Sequence, residues 1–363
     1  MNQITRRNAL TGAAALAGAG TLSSIGESDL ARAAAPLGGK QNPGWYRYKV
    51  GEFEITVVTD GVSFGPLSDA YVQNAPKNDV SAQLAAMHYA PDKTSNWYNP
   101  IVVNTGSKLV VIDAGGGPPA SQQTKGTLGQ FHNNLAAAGI DKSAVDVVIA
   151  SHLHGDHISG LLDSDNKLAF PNAQLLMPTG DIKFWTDESN ASRFPDPVKA
   201  QFANVKRVMG ALDGKVTQYE GSKELVAGIT SMPTPGHTPG HTSFTIASGS
   251  DHIIHQVDVT AGMGTLFVQK PDWHFLFDVD GALAEQTRRK FYDMVAADKV
   301  RIQGYHFPFP AVGNIEKDGI GYRWVPAAWN PTFLSFDWLR GGRLRGGLLV
   351  LTLGPFALFA RVA

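Results

Sequence analysis

The chain has 363 residues, with 31 Lys and Arg against 32 Asp and Glu, so its formal net charge is -1. This balance leaves no basic excess for nucleic acid and no acidic block typical of a disordered tail. The absence of cysteine excludes disulfides and thiolate ligands, so the fold must depend on burial of a hydrophobic core.

The first 35 residues have the layout of an export signal. A polar start with the pair Arg6-Arg7 precedes a weakly apolar stretch rich in Ala and Gly. Small residues that suit a signal peptidase follow at Ala31, Ala33 and Ala35. The paired arginines resemble the twin-arginine type of signal. We therefore predict a periplasmic or secreted protein, with the alternative that residues 1–35 are only a flexible N-terminus.

The next hundred residues predict strands and short helices. Residues 46–64 alternate polar and apolar side chains and indicate a strand followed by a turn. A short helical pattern occupies residues 80–90, and two β-branched runs at 101–104 and 108–112 predict a hairpin. Apolar spacing of three and four in residues 126–140 predicts a helix that ends at a glycine.

The remaining elements alternate between strands and helices. Residues 144–151 form a short apolar run typical of a strand buried on both faces. A strand or hairpin is predicted over 166–178, and a helical insertion over 179–212. Further strands are predicted at 223–237, 242–249 and 251–260, a helix at 282–297, and a last strand at 300–310. This interleaving predicts a layered α/β or α+β domain over residues 36–330.

Residues 331–363 differ in composition from the domain before them. They are rich in Gly, Arg and Leu, and their apolar run is interrupted at Gly354-Pro355. Such a run is short for a membrane span. We expect an extension that adds nothing to function and makes no membrane contact. A membrane-surface tail and a reading-frame error are the alternatives.

The sequence "HLHGDH" at residues 152–157 places four metal-ligand side chains directly after a predicted strand. His152 and His154 are two apart, so they point to the same side of an extended strand end. Gly155 allows a tight turn that brings Asp156 and His157 toward the same point. Four ligands are more than one catalytic ion takes from a single loop. The pattern therefore predicts two ions, the first bound by the first two histidines and the second by Asp156 and His157.

A site for two ions needs further ligands from elsewhere in the chain. Histidine and carboxylate side chains occur where other strands are predicted to end, at His237, Asp258 and His306. His241 also follows the "GHT" sequence of His237, and we expect it to pack or form hydrogen bonds beneath the site without binding metal.

These pieces resemble the metallo-β-lactamase superfamily, whose members carry an HxHxDH loop, a GHT histidine, a strand-end acid and a last histidine in this order. The resemblance implies an α+β fold, a four-layer αβ/βα sandwich, and two divalent ions, taken to be zinc. It assigns His152, His154 and His237 to the first ion and Asp156, His157 and His306 to the second. Asp258 corresponds to the bridging carboxylate, and Asp113 to a buried acid that supports the ligands.

Within the superfamily, residues 45–330 are similar to the methyl parathion hydrolase branch. "VVNTGSKLVVIDAGGG", "GHTPGHT" and "GYRWVP" carry this similarity. It implies a homodimer as the oligomeric state and places Trp185 and Phe202 in the wall of the substrate pocket. The alternative is that both aromatic residues belong to the core.

The implied chemistry is hydrolysis of a small molecule. Two ions that share a water generate a bridging hydroxide, which attacks a lactone, an ester or an organophosphate triester. Asp156 is expected to orient this hydroxide. The alternatives are a β-lactamase or another hydrolase of the superfamily, an iron-dependent sulfur dioxygenase, and a non-catalytic metal-binding protein. Because no Lys or Arg cluster adjoins the motif, we expect no nucleic-acid partner.

Overall fold

The computed structural model describes residues 39 and 41–332. Its contacts divide the chain between Asn42 and Pro43, and all elements below lie in the second unit. The predicted export signal at 1–35 lies outside the described residues, as does the C-terminal extension from residue 333 onward. Within the described part, every helix is too short or too polar to cross a bilayer.

Two seven-stranded sheets form the centre of the domain. The first has the order β1-β2-β5-β6-β7-β8-β9. Its strands are β1 Trp45–Val50, β2 Phe53–Val58, β5 Ile101–Asn104, β6 Leu109–Ile112, β7 Val147–Ile149, β8 Gln174–Pro178 and β9 Thr217–Tyr219. A separate two-stranded antiparallel sheet is formed by β3 Gly61–Pro66 and β4 Lys93–Tyr98.

The second sheet follows the order of the chain from β10 to β16. Its strands are β10 Glu224–Val226, β11 Ile229–Pro233, β12 Thr242–Ser248, β13 Asp251–Val257, β14 Ile302–Gly304, β15 Val312–Asp318 and β16 Gly321–Pro326. The helices are α1 Lys77–Ala86, α2 Gly117–Thr124, α3 Phe131–Ala137, α4 Gly155–Ile158, α5 Thr179–Thr186, α6 Asp196–Leu212, α7 Gly264–Gln269 and α8 Gly281–Ala297.

The sheets pack against each other and carry helices on their outer faces. Both sheets contribute side chains to the hydrophobic core between them, such as Ile55 and Val110 from the first sheet and Phe244 from the second. Helix α6 covers the first sheet through a stripe of buried residues three to four apart, a spacing that keeps them on one helical face: Val198, Phe202, Val205, Val208 and Leu212. Helices α7 and α8 pack on the second sheet. The predicted four-layer α+β sandwich is confirmed.

The predicted hairpin at 101–112, the helix before Gly139 and the helical segment 179–212 agree with the structure. Three strand predictions were wrong. Residues 223–237, predicted as one strand, form the antiparallel pair β10 and β11. Residues 46–64 form two strands and the start of a third, because Gly51, with φ +55°, lets the chain reverse. The strand at 302–304 is not the last, because β15 and β16 follow as a hairpin at the edge of the sheet. Their sequences contain polar, exposed residues and lack the continuous apolar run by which a buried strand is recognised.

Parallel pairing sets the position of the functional loops. Strands β6, β7 and β8 pair in parallel, so their carboxyl ends share one edge of the first sheet. Strands β13 and β14 likewise pair in parallel in the second sheet. Loops that leave these strand ends can therefore meet at one edge of the sandwich, where ligands of α/β proteins commonly bind.

Candidate metal centre

The seven predicted ligands come together from four separate loops. His152, His154, Asp156 and His157 follow β7 and enter α4, and His237 lies in the loop between β11 and β12. Asp258 and His306 each follow within two residues of a strand end, β13 and β14. Three overlapping groups of ligand atoms, each within 4.8 Å, contain all seven side chains.

The first group consists of three imidazoles. His154 Nδ1 lies 3.1 Å from His152 Nε2 and 2.9 Å from His237 Nε2. Ligands of a tetrahedral zinc ion with bonds of 2.0–2.1 Å lie about 3.3 Å apart. The three nitrogens are therefore spaced closely enough to share one ion.

The second group contains one carboxylate and two imidazoles. Asp156 Oδ2 lies 3.4 Å from both His157 Nε2 and His306 Nε2. Asp156 is the most exposed ligand, with 26% of its side chain accessible, whereas the two histidines are buried. The acid thus forms the open side of the second group.

Asp258 stands between the two groups. Its Oδ2 is 3.3 Å from His237 Nε2 on one side, and 3.5 Å and 3.0 Å from the ring Nε2 atoms of His157 and His306 on the other. Its backbone departs from the ordinary strand conformation just before it, at Val257, with φ +52°. A β-branched residue rarely adopts this conformation, so the local fold holds Asp258 in place at a cost in backbone strain.

The residues fit a pair of divalent ions. Three buried polar atoms of these groups have no hydrogen-bond partner among the described residues: His154 Nε2, His157 Nε2 and Asp258 Oδ1. Unpaired buried polar groups are costly, and metal coordination satisfies atoms such as His157 Nε2 and Asp258 Oδ1. Imidazole and carboxylate donors without thiolate suit zinc and similar divalent ions.

Outer partners orient several ligand rings. His157 Nδ1 donates to Asp113 Oδ2 at 2.9 Å, and Ser151 donates to the same carboxylate through its N–H and Oγ–H. The Oγ of Ser151 then accepts from His152 Nδ1 at 3.0 Å. Asp113 itself has φ +62°. Asp113 therefore lies where a supporting acid was predicted, in direct contact with His157 and linked to His152 through Ser151.

Two further acids were not singled out in the sequence. Asp278 Oδ1 accepts from His237 Nδ1 at 2.8 Å. Asp181 accepts from the backbone N–H groups of Leu153 and Gly240, and so links the two histidine-bearing loops. No motif or spacing in the sequence relates either acid to the candidate ligands. The only feature that could have drawn attention to them is an acidic residue among mostly apolar neighbours.

Buried charges in the site shift one another's pKa values. Burial opposes the charged form of His306 and His237, but the neighbouring carboxylates, Asp258 foremost, raise both pKa values to about 9. Burial likewise opposes ionisation of Asp258, yet the surrounding imidazoles, His306 first, hold its pKa well below the usual range. The site therefore stabilises positive charge at its centre, and protons and metal ions compete for it.

His241 has the supporting position that the sequence predicted. Burial, with the nearby His237, lowers the pKa of His241 to about 3. The neutral ring donates from Nδ1 to the Thr234 carbonyl at 2.9 Å and accepts at Nε2 from the Asp258 N–H at 3.0 Å. Both ring nitrogens are thus occupied, and His241 holds the backbone of Asp258.

Comparison with known proteins agrees with this geometry. The family described as the Metallo-beta-lactamase superfamily matches residues 98–303, which include six of the seven ligand positions and more than half of the chain. The chain belongs to the metallo-β-lactamase superfamily. No curated protein matches it significantly.

Solved structures place the chain among hydrolases of this superfamily. AidC, a dizinc quorum-quenching lactonase in complex with a product, N-hexanoyl-L-homoserine, is 27% identical, with a TM-score of 0.74; the match covers 79% of this chain and 98% of AidC. The hydrolase AbOPH is 26% identical, with a TM-score of 0.70 and coverage of 80% and 100%. A probable metal-dependent hydrolase from Staphylococcus aureus shares the fold at 21% identity, with a TM-score of 0.60 and coverage of 77% and 100%. Our chain is a metal-dependent hydrolase of the metallo-β-lactamase superfamily.

A cavity of 390 Å³ opens onto the metal centre of this metallo-β-lactamase fold. Its aromatic wall is formed by Tyr71, Tyr98, Phe275 and Phe277, and its polar side chains include Asn96, Gln123, Gln201 and Asn204. Its acidic and basic side chains are all candidate ligands, namely Asp156, Asp258, His154, His237 and His306, and no Lys or Arg of the described residues lines it. Beyond the candidate metal centre itself, the cavity thus offers no cationic side chain to an anionic group of a substrate.

Trp185 and Phe202 do not line this cavity, contrary to the pocket position expected for them. They are 2% and 7% exposed and pack on each other, with ring centroids 4.6 Å apart, in the core under the first sheet. The indole Nε1 of Trp185 donates to Asp181, and its ring meets His154 edge-on. The helical stripe of α6 turns Phe202 inward, whereas Gln201 and Asn204 of the same helix line the cavity.

Proposed function

We propose that this protein hydrolyses neutral lactones with two zinc ions, and that acyl-homoserine lactones are among its substrates. The observation that carries the proposal is the cavity that opens onto both ligand groups and is lined by no Lys or Arg among the described residues. A neutral ester fits such a cavity, whereas a free carboxylate away from the reacting bond would lose hydration and find no Lys or Arg side chain to pair with. The similarity to AidC, a dizinc lactonase, supports the same class.

The residues of the site have distinct roles in this proposal. His152, His154 and His237 would hold one ion, Asp156, His157 and His306 the other, and Asp258, whose carboxylate lies near histidines of both groups, would serve both. When bound, two zinc ions would supply an activated water and polarise the substrate oxygen that gains charge. Asp156, the partly exposed acid at the cavity, orients the attacking water, and the aromatic wall holds the apolar part of the substrate.

A neutral organophosphate triester is the second candidate substrate. It meets the same requirement of the cavity, and the sequence similarity to the methyl parathion hydrolase branch favours it. A β-lactam antibiotic carries a carboxylate, for which the described lining has no Lys or Arg partner. A sulfur dioxygenase needs a single iron, which leaves the second ligand group without a role.

A substrate panel with matched pairs tests the proposal. Acyl-homoserine lactones, an aryl ester, a phosphotriester, the diester with the same leaving group, and a cephalosporin are compared, together with measurement of bound metal. We expect two zinc ions per chain, the highest kcat/KM for a lactone, and turnover of the triester well above that of the diester. Faster turnover of the anionic diester than of the triester, or a single bound iron, would reject the proposal.

We also propose that the protein is exported through its paired arginines. Residues 1–35 have the composition of a twin-arginine signal, and the chain has no cysteine that export would oxidise. Cell fractionation of the wild type and of an Arg6→Lys, Arg7→Lys double variant tests this. The wild type is expected in the periplasm or medium and the variant in the cytoplasm; an identical distribution of the two would refute export by this route.

A further inference from the structure

The segment from Phe275 to Asp280 holds His237 at three points. The imidazole Nδ1–H donates to Asp278 Oδ1 at 2.8 Å. The backbone carbonyl of His237 accepts from the Val279 N–H at 3.0 Å, and the carbonyl of Gly236 accepts from the Asp280 N–H at 3.0 Å. Side chain and backbone of this histidine are therefore fixed by the same short segment.

Asp278 is itself held by a buried arginine. Its Oδ2 accepts from the Phe275 N–H at 2.9 Å and from Arg288 Nη2 at 3.4 Å. Arg288 of α8 is 1% exposed, and its remaining donors bind the carbonyls of Val259, Pro271 and Trp273 at 2.7–3.0 Å. Because Val259 directly follows Asp258, this arginine connects the support of His237 with the backbone of the central acid.

The other histidines of the first group lack such a partner. The Nδ1 of His152 reaches a carboxylate only through Ser151, and His154 Nε2 has no hydrogen-bond partner among the described residues. Asp278 is therefore the carboxylate that directly contacts a ring N–H in the three-histidine group. A hydrogen bond from Nδ1–H leaves the lone pair on Nε2, the atom that faces His154 and Asp258.

We propose that Asp278, anchored by Arg288, is a positioning residue that fixes the tautomer and direction of His237. It thereby sets the affinity of the three-histidine group for its ion separately from that of the second group. This inference rests on the proposed function, since it requires two bound ions. Asp113, by contrast, reaches both groups, directly at His157 and through Ser151 at His152.

Zinc binding by Asp278→Asn tests the inference. The variant keeps the size of the side chain but removes its charge. Zinc is removed stepwise with a chelator, the metal per chain is measured, and anomalous diffraction at the zinc edge locates the ion that remains. We expect the three-histidine ion to be bound about 10- to 100-fold more weakly and the second ion to be unchanged. Asp113→Asn is expected to weaken both.

Asp60→Asn is the matched control. Asp60 is also fully buried and accepts from three backbone N–H groups, but it contacts none of the seven ligands. It is expected to retain both ions. Two ions of unchanged affinity in Asp278→Asn, or selective loss of the second ion, would overturn the inference. A wild type that binds fewer than two ions would instead reject the proposed function.

A measurement on the wild type covers the case in which Asp278→Asn does not fold. In the zinc-loaded protein labelled with ¹⁵N-histidine, the Nδ1–H of His237 is expected as a downfield proton signal protected from exchange, identified by its loss in His237→Gln. Absence of this proton signal, or a ¹⁵N shift showing that Nδ1 of His237 carries no proton, would refute the proposed role of Asp278.

Discussion

Substitution of Trp185 by Phe separates a core role from a pocket role. Trp185 is 2% exposed, and its Nε1 is one of three donors to the buried carboxylate of Asp181, beside the N–H groups of Leu153 and Gly240. Phenylalanine keeps an aromatic ring but removes this donor and part of the ring volume.

The two losses give the expected magnitude. A hydrogen bond to a charged group contributes about 1.5–3 kcal/mol, and the lower end applies because Asp181 keeps two backbone donors. The smaller ring adds about 1 kcal/mol for the incompletely filled space. We therefore expect the free energy of unfolding to fall by about 2–3 kcal/mol.

Urea denaturation of the zinc-loaded protein measures this loss, and steady-state kinetics on the same sample measures KM for the best substrate of the panel. KM is expected to stay at the wild-type value. Phe277→Leu is the comparison, because Phe277 is only partly buried and lines the cavity: there we expect a raised KM and little loss of stability. If Trp185→Phe raises KM like Phe277→Leu and leaves unfolding unchanged, Trp185 is a pocket residue after all.

Three further predictions follow from the site and its surroundings. Chelation is expected to abolish hydrolysis and to lower the melting temperature, since zinc held at about 1,000 times its Kd stabilises the native state by about 4 kcal/mol; activity that survives verified removal of metal would contradict the two-ion site. The carboxylate of Asp60 accepts hydrogen bonds from three backbone N–H groups, and in Asp60→Asn at least one of these donors would face the NH₂ group of the amide. The free energy of unfolding in urea is therefore expected to fall by about 1–3 kcal/mol. Unchanged stability would show that these contacts contribute nothing. Burial lowers the pKa of His255 to about 4 from 6.5, so its neutral form stabilises the fold above pH 6.5 and this contribution is lost as pH falls toward 4, by about 3 kcal/mol. His255→Gln should therefore lose less stability than the wild type between pH 7 and 4, and equal pH dependence of the two proteins would refute the assignment.

The candidate ligands and their order were predictable from the sequence because the main motif is local. His152, His154, Asp156 and His157 lie within six consecutive positions after a buried strand. The sequence predicted a tight glycine turn between them, whereas in the structure Gly155 begins the short helix α4, which carries Asp156 and His157. The remaining ligands occur where strands end, which an apolar run reveals without knowledge of the fold. The alternation of strands and helices was sufficient for the layered class of architecture.

Other features depended on the tertiary structure, because they join residues with no local relation. Asp278 contacts His237 across 41 positions, and only the packing of α8 against the second sheet brings Arg288 beneath it. Whether Phe202 faced the core or the cavity was decided by the side of α6 that meets the first sheet. A sequence shows which side chains are available for a buried site, but the pairing of parallel strands determines which of them meet.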